Sequence, residues 1–314
     1  MAQAPVVRVC YLYPRLLSVA GDRGNLFALL QRCAWRGIEY TVTEADVGEV
    51  PDFAQADIVL LHGGQDREMT AAARDMAAKA APLRDAIEND AVVLAVCAGY
   101  QLLSHYYAPV SGPAIQGIGV LDAFTEGGQK RFIGHVAVEC SLSPGQRHQL
   151  AGFENHSGRT WLGKSAEPLG RVIAGNGNNG EDGTEGARYR EVYATYLHGP
   201  VLPKNPWLAD HLLARALARR YQDFGPLAPL PDHTESQAQV AALRLARHQA
   251  SGWRAAAAAI SRFALQRPAP VSASGRQYDE MAGSPVGDKV DEVDPSVPDQ
   301  RLEMPEPATS AEPR

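Results

Sequence analysis

The segment from Val92 to Ser104, Val-Val-Leu-Ala-Val-Cys-Ala-Gly-Tyr-Gln-Leu-Leu-Ser, constrains the fold more than any other stretch of the chain. An apolar run stops at Cys97, small residues follow, and a second apolar pattern starts at Leu102 and Leu103. This is the pattern of a buried strand that turns sharply into a helix. A cysteine at such a corner faces the N–H groups of the helix that follows it. Their field favours thiolate over thiol and makes the residue a candidate nucleophile. The same window also suits a small buried hydrophobe at the end of a strand. Only the rest of the chain separates the two readings.

Strand, loop and helix alternate through the first hundred residues. Val6 to Tyr13 reads as a strand, and the glycine-punctuated loop Gly21-Asp22-Arg23-Gly24-Asn25 follows it. Leu26 to Trp35 then has helical spacing, with Gly37 as its stop. Ile38 to Thr43 and Asp57 to Leu61 suit two more strands. The latter runs into His62-Gly63-Gly64-Gln65-Asp66, and Ala71 to Asn89 is an amphipathic, alanine-rich helix. Such alternation predicts an α/β fold with a mostly parallel sheet and helices on both faces. Ligands bind at the carboxyl ends of strands in such sheets. The loops 21–25, 63–66 and 97–99 all fall on that edge.

From Gly117 to Tyr196 the pattern shifts to shorter β-like runs, with Phe132–Cys140, Arg171–Ala174 and Val192–Leu197 as strand candidates. Asn176 to Gly186 is a polar, glycine-rich loop, and Trp207 to Tyr221 a helix. These features divide the chain into a main domain over 1–228, a helical extension over 229–265 and a tail over 266–314. The extension is alanine- and arginine-rich from Glu235 to Leu265, with Ser251-Gly252 as a candidate break. The tail is rich in Pro, Ser, Asp and Glu and is expected to be disordered.

With 314 residues and 45% hydrophobic content, the chain can build a sizeable core. A net charge of −6 and no long basic run argue against nucleic acid or an anionic membrane as the main partner. Apolar runs are strand-length, well short of the ~20 residues of a membrane span. The N-terminus lacks the charged and apolar regions of a signal peptide. The four cysteines, Cys10, Cys33, Cys97 and Cys140, are far apart and suggest neither a disulfide framework nor a zinc site. A reduced, cytoplasmic protein is expected.

A cysteine nucleophile needs a base. Among nine histidines, His198 stands out in Thr195-Tyr196-Leu197-His198-Gly199-Pro200, where a strand ends at glycine and proline. That places it on the same sheet edge as Cys97. The pair Gly63-Gly64 lets backbone N–H groups approach a ligand closely, as an oxyanion hole requires, though glycines also make tight turns. Thiol, imidazole and oxyanion donors on one edge point to acyl transfer through a thioester. Gln101 could reach a substrate amide or cap the helix start, and Asp22 could orient an imidazole or serve the turn beside Gly24.

Gly-Gly-Gln-Asp at 63–66, Val-Cys-Ala-Gly-Tyr-Gln at 96–101 and Tyr-Leu-His-Gly-Pro at 196–200 together resemble a class I glutamine amidotransferase of the cobyric acid synthase-like branch. Gly21–Asn25, Lys130-Arg131-Phe132-Ile133-Gly134, Gly152–Thr160 and His198–Pro206 sharpen the resemblance to GatD-type glutaminase subunits of lipid II isoglutaminyl synthase. It covers roughly residues 6–225. The resemblance implies a flavodoxin-like, doubly wound sheet flanked by helices, here with extra C-terminal helices. It implies glutamine hydrolysis, with ammonia passed to a MurT-type, Mur-ligase-like partner that uses ATP and amidates the D-glutamate α-carboxylate of lipid II. No cofactor on this chain is implied. By position, Cys97 would attack the carboxamide and His198 would shuttle protons. Arg131 would hold the substrate carboxylate, and the N–H groups of Gly64 and Ala98 would bind the oxyanion.

Two departures stand out. Many relatives of this class carry a carboxylate two residues after the histidine, where this chain has Pro200. Either a Cys–His dyad operates or Asp22 supplies the carboxylate. Ala95 also replaces the first glycine of the usual nucleophile motif, with little consequence expected. Hydrolases of this fold that set a histidine directly after the cysteine are disfavoured by Ala98. A cobyrinate-type synthase would usually carry a P-loop domain on the same chain, and no GxxxxGK[ST] is present. A non-catalytic scaffold is disfavoured by the joint presence of Cys97 and His198.

Overall fold

The computed structural model describes residues 4–18, 21–143 and 145–265 and, for side chains, extends as far as Ser251. The expected tail over 266–314 lies outside the described residues. In chain order the first elements are β1 (Val6–Leu12), α1 (Gly24–Ala34), β2 (Glu39–Ala45), β3 (Ile58–Leu61), α2 (Asp66–Glu88), β4 (Val92–Val96) and α3 (Ala98–Leu103). Short strands β5 (Tyr106–Ala108) and β6 (Ile115–Gln116) lead to the long strands β7 (Ala123–Ser143) and β8 (Gln146–Leu162). Then come β9 (Gly170–Ala174), β10 (Thr184–Glu185), β11 (Ala187–Tyr189) and β12 (Val192–Thr195). The helices α4 (Val201–Lys204), α5 (Pro206–Arg220) and α6 (His233–Leu265) follow, and α6 runs through Ser251 and Gly252 without a break.

The first sheet has the order β11-β12-β4-β3-β1-β2. All of its pairs are parallel except β11 with β12. Strand order reverses at β1, which lies between β2 and β3. Right-handed crossovers therefore send α1 and α2 to opposite faces. Helices α1, α4 and α5 pack with one another, as do α2 and α3. The centre is dry: every residue of β3 and of β4 is fully buried. That is why both strands read as continuous apolar runs in the sequence. Ligand crevices form outside strand ends at such a reversal, and the loops after β1 and β3 meet there.

A second sheet adds to this frame, with the order β10-β9-β7-β5-β6 and β8 paired to β7. It is largely antiparallel, apart from β5 with β7. Phe132–Cys140 falls inside β7, but β8 has no counterpart among the sequence candidates. Its inward positions explain the omission. Glu154, His156 and Thr160 are buried, so polar residues occupy the face where apolar alternation is expected. Helix α6 packs on β7 and β8 through Leu243 and Ala246, which meet Ala137, Ala151 and Ala174.

Close approach of backbone segments sets the corner at the end of β4. A Cβ on Gly99 would lie 2.3 Å from the Leu61 carbonyl oxygen. The first turn of α3 therefore presses directly on the end of β3, and Gly99 N–H donates to the His62 carbonyl at 3.1 Å. Ala95 is accommodated between Leu61 and Ala194 in the sheet register and is fully buried. We expect Gly99→Val to destabilise the fold by about 2 kcal/mol or more through this overlap. Thermal unfolding measures it, with a midpoint lowered by at least about 5 °C; an unchanged midpoint would refute the contact.

Candidate active site

Cys97 sits on the turn between β4 and α3 with φ 52° and ψ −103°, a region that non-glycine residues rarely adopt. Its N–H is tied to the Thr195 carbonyl at 2.9 Å, so the strained corner is held by β12. As the first residue of α3, Ala98 carries an N–H with no intrahelical acceptor. The Cys97 side chain reaches an open cavity of about 620 Å³. The other three cysteines are buried away from it, and burial pushes their thiols up to about 12.

His198 reaches the same cavity from the chain just past the carboxyl end of β12. Its backbone is locked to Phe153 of β8 by two hydrogen bonds, at 2.9 and 3.1 Å. Its Nδ1 donates to Asp22 Oδ2 at 3.0 Å. Asp22 is fully buried in the loop before α1. Glycine at position 24 makes this approach possible: a Cβ there would stand 2.5 Å from Pro200 Cγ. The proline that vacates the usual carboxylate position thus packs on the loop that carries Asp22. Asn25 reinforces the junction by accepting from the Leu202 N–H at 2.9 Å.

Burial opposes a charge on His198, but its interactions with Cys97 and with the hydrogen-bonded Asp22 outweigh it and raise its pKa to about 10. The imidazole is therefore held as an imidazolium across the neutral range. The sign follows from linkage. The folded value lies above the ordinary 6.5, so this stabilisation is complete below pH 6.5 and is lost as pH rises through about 10.

Arg131 and Gly64 also line this cavity. Arg131 lies where the β7–β8 register slips between Gly127 and Phe132, a bulge that redirects its side chain. Asn155 holds the guanidinium, accepting from Nε at 2.7 Å and, through its carbonyl, from Nη2 at 3.0 Å. Gly64 is pressed against Leu17, whose Cδ2 would be 2.3 Å from an added Cβ. Gln101 is not brought into the cavity. It lies one turn into the buried helix α3, and its Nε2 donates to Tyr196 Oη at 3.1 Å. Thr160 Oγ1 lies 2.7 Å from the same hydroxyl, so the amide belongs to an interior polar network that must satisfy its own groups.

Sequence reasoning passed over Gln65, Asp66, Arg67, Asn155 and Ser157 as site residues, and these complete the cavity lining. Asn155 and Ser157 are two apart on β8 and share a face, a period-two signal hidden by the polar inward residues. His156, on the opposite face, stacks on Tyr196 with ring centroids 3.8 Å apart. Burial pushes its pKa down to about 3, and its Nδ1 lies 2.8 Å from the Gly158 carbonyl, a contact within β8. Among the described residues, no group of three or more His, Cys, Asp or Glu side chains is placed to hold a metal ion.

A cysteine on a strand–helix corner, an imidazole tied to a carboxylate and a glycine turn, all on one sheet edge, define the class as an α/β enzyme of acyl transfer through a cysteinyl thioester. The chain belongs to the CobB/CobQ-like glutamine amidotransferase domain family, whose model matches residues 8–206. It is similar to the GatD subunit of lipid II isoglutaminyl synthase (glutamine-hydrolyzing) from Streptococcus pneumoniae, 38% identical over 68% of this chain and 82% of that protein. The Staphylococcus aureus GatD subunit is 39% identical over 67% of this chain and 84% of its own length. A Listeria innocua cobyric acid synthase is 27% identical over 61% of this chain and only 38% of its own length.

Removing the Asp22 charge takes away one of the interactions that raise the His198 pKa. We therefore expect Asp22→Asn to lower the His198 titration midpoint by at least about one unit, as read by NMR of labelled histidine. Retention of the parental midpoint would dissociate Asp22 from the imidazole.

Proposed function

We propose that this chain is the glutaminase subunit of a lipid II isoglutaminyl synthase. The observation that carries the reading is the meeting of Cys97, His198 and Arg131 in the lining of one cavity, with the buried Asp22 bonded to His198 behind it. In this reading, the α-carboxylate of L-glutamine pairs with the Arg131 guanidinium fork. Asp66, also in the cavity wall, is available to the α-ammonium group. The side-chain carboxamide then extends towards Cys97.

Cys97 Sγ attacks the carboxamide carbon as the C=O π electrons move to oxygen. In this reading the N–H groups of Gly64 and Ala98 hold that oxyanion. Collapse of the tetrahedral species breaks the C–N bond, and His198 delivers its proton to the leaving nitrogen, releasing ammonia. The neutral imidazole next takes a proton from water, whose oxygen attacks the thioester. Glutamate leaves and the thiolate–imidazolium pair is restored. Asp22 keeps the ring oriented through both steps.

In our reading, ammonia passes to a MurT-type, Mur-ligase-like subunit, which uses ATP to activate the D-glutamate α-carboxylate of lipid II and yields D-isoglutamine. The GatD relatives are named as subunits, which supports an assembly of more than one chain. We place this heterodimer in the cytoplasm, where glutamine and ATP are available. No step on this chain uses a cofactor of its own.

Cys97→Ala should abolish ammonia release from glutamine, a loss of at least about 1,000-fold, while the variant still co-purifies with the ligase subunit. Glutaminase activity at the parental rate would refute the reading. Arg131→Ala removes a charge-assisted contact of about 1.5–3 kcal/mol. It should raise KM about 10- to 100-fold with a smaller change in kcat, measured by steady-state glutamine hydrolysis. Because the other thiols are held protonated by burial, iodoacetamide near neutral pH should label Cys97 first, as peptide mapping would show.

A further inference from the structure

We propose that Arg159 is a positioning residue that clamps the bulge of β7 and so presents Arg131 to the substrate carboxylate; the identity of that substrate rests on the glutaminase reading above. In the pairing of β7 with β8, Gly127 faces Gly158 and Phe132 faces His156. Four residues, Gly128 to Arg131, therefore stand opposite Ser157 alone. Bulged residues leave the ladder and lose its hydrogen bonds. Strand pairing then does not set the direction of Arg131, the residue that this bulge contributes to the cavity.

Arg159 ties both flanks of Arg131 to β8. On one flank its Nη2 donates to the Lys130 carbonyl. On the other its guanidinium carbon lies 3.3 Å from the centre of the Phe132 ring, a stacked cation–π contact. The anchor is β8 itself: Nη1 donates to the carbonyls of Ser157 at 2.9 Å and Gly158 at 3.1 Å. All of these hydrogen bonds end on main-chain oxygens, so the half-buried guanidinium fixes backbone. Glycine at 128 admits it, because a Cβ there would stand 2.9 Å from Arg159 Cζ. Arg159 does not itself line the cavity.

The two supports of Arg131 act at different ends. Asn155 grips the guanidinium head through Nε and Nη2, while Arg159 holds the main chain on either side of its Cα. Asn155, Ser157 and Arg159 alternate along β8 and so share one face, which places both supports on the strand that walls the cavity. An exposed arginine on an untied bulge would pay side-chain and loop entropy each time it met a carboxylate, and the clamp removes that cost before binding. Lysine cannot replace Arg159. Its single ammonium has no planar face for Phe132 and no fork to span the carbonyls of both strands.

The test is a double-mutant cycle on the full chain: parental, Arg159→Ala, Arg131→Ala and the double variant, with Arg159→Lys beside them. Readouts are kcat and KM for glutamine and the dissociation constant of L-glutamate by calorimetry. If Arg159 acts through Arg131, Arg159→Ala should raise KM and the L-glutamate constant about 10-fold with kcat changed less than about 3-fold. In the Arg131→Ala background the same substitution should change both constants less than about 2-fold. Arg159→Lys should be impaired nearly as much as Arg159→Ala, and it carries the comparison if the alanine variant does not fold. Parental constants in Arg159→Ala or in Arg159→Lys would overturn the proposal. So would equal fold-changes in the two backgrounds, which would make Arg159 a residue of general structural support. L-Glutamate binding separates the clamp from the glutaminase reading. A parental chain that releases no ammonia, yet binds L-glutamate with the coupling between positions 131 and 159 intact, rejects the glutaminase reading and supports the clamp. A parental chain that hydrolyses glutamine without that coupling does the reverse, and one that neither hydrolyses glutamine nor binds L-glutamate rejects both.

Discussion

One buried contact organises the sheet edge: Asp22 Oδ2 and His198 Nδ1, 3.0 Å apart and separated by 176 positions in sequence. It joins the loop after β1 to the chain leaving β12, and so closes the carboxyl ends of the parallel strands around Cys97. An isolated carboxylate in such a setting would be costly, as would an isolated imidazolium. Each is tolerable because of the other, and because Gly24 and Pro200 let their loops touch. The site is therefore a mutual arrangement, in which each charge depends on the partner it faces.

Much of this was legible in the sequence for a physical reason. A parallel sheet covered on both faces forces its central strands to be apolar throughout, so β3 and β4 announce themselves, and the corner at Cys97 follows from the abrupt end of one such run. His198 and Arg131 lie beside glycines and a proline, which mark strand ends and bulges. The link between Asp22 and Pro200 was less accessible. Proline at 200 reads as a missing carboxylate until the structure shows its ring packed against Gly24.

The second sheet was harder to read. Long strands whose inward face carries Glu154, His156 and Thr160 defeat any search for apolar alternation, because Glu154 and Thr160 find their partners in distant segments. Glu154, for instance, accepts from the N–H groups of Asn176 and Gly177. Gln101 illustrates the converse error. Its proximity to Cys97 in sequence suggests a role at the substrate, yet one helical turn carries it into the network of Tyr196, Thr160 and Thr125. Nearness along a helix is not nearness to the cavity.

The β7–β8 hairpin has a mechanical consequence. β7 carries Arg131 at its bulge, while β8 carries Asn155, which grips that arginine, and Phe153, whose backbone clasps His198. Substrate grip and proton carrier are thus mounted on one lever. A displacement of this hairpin moves both together, and affinity and chemistry cannot be adjusted independently from it. Helix α6 rests on that lever through Gln249, which accepts from the His135 N–H at 2.9 Å, so the C-terminal helix bears on the setting of a site it does not line.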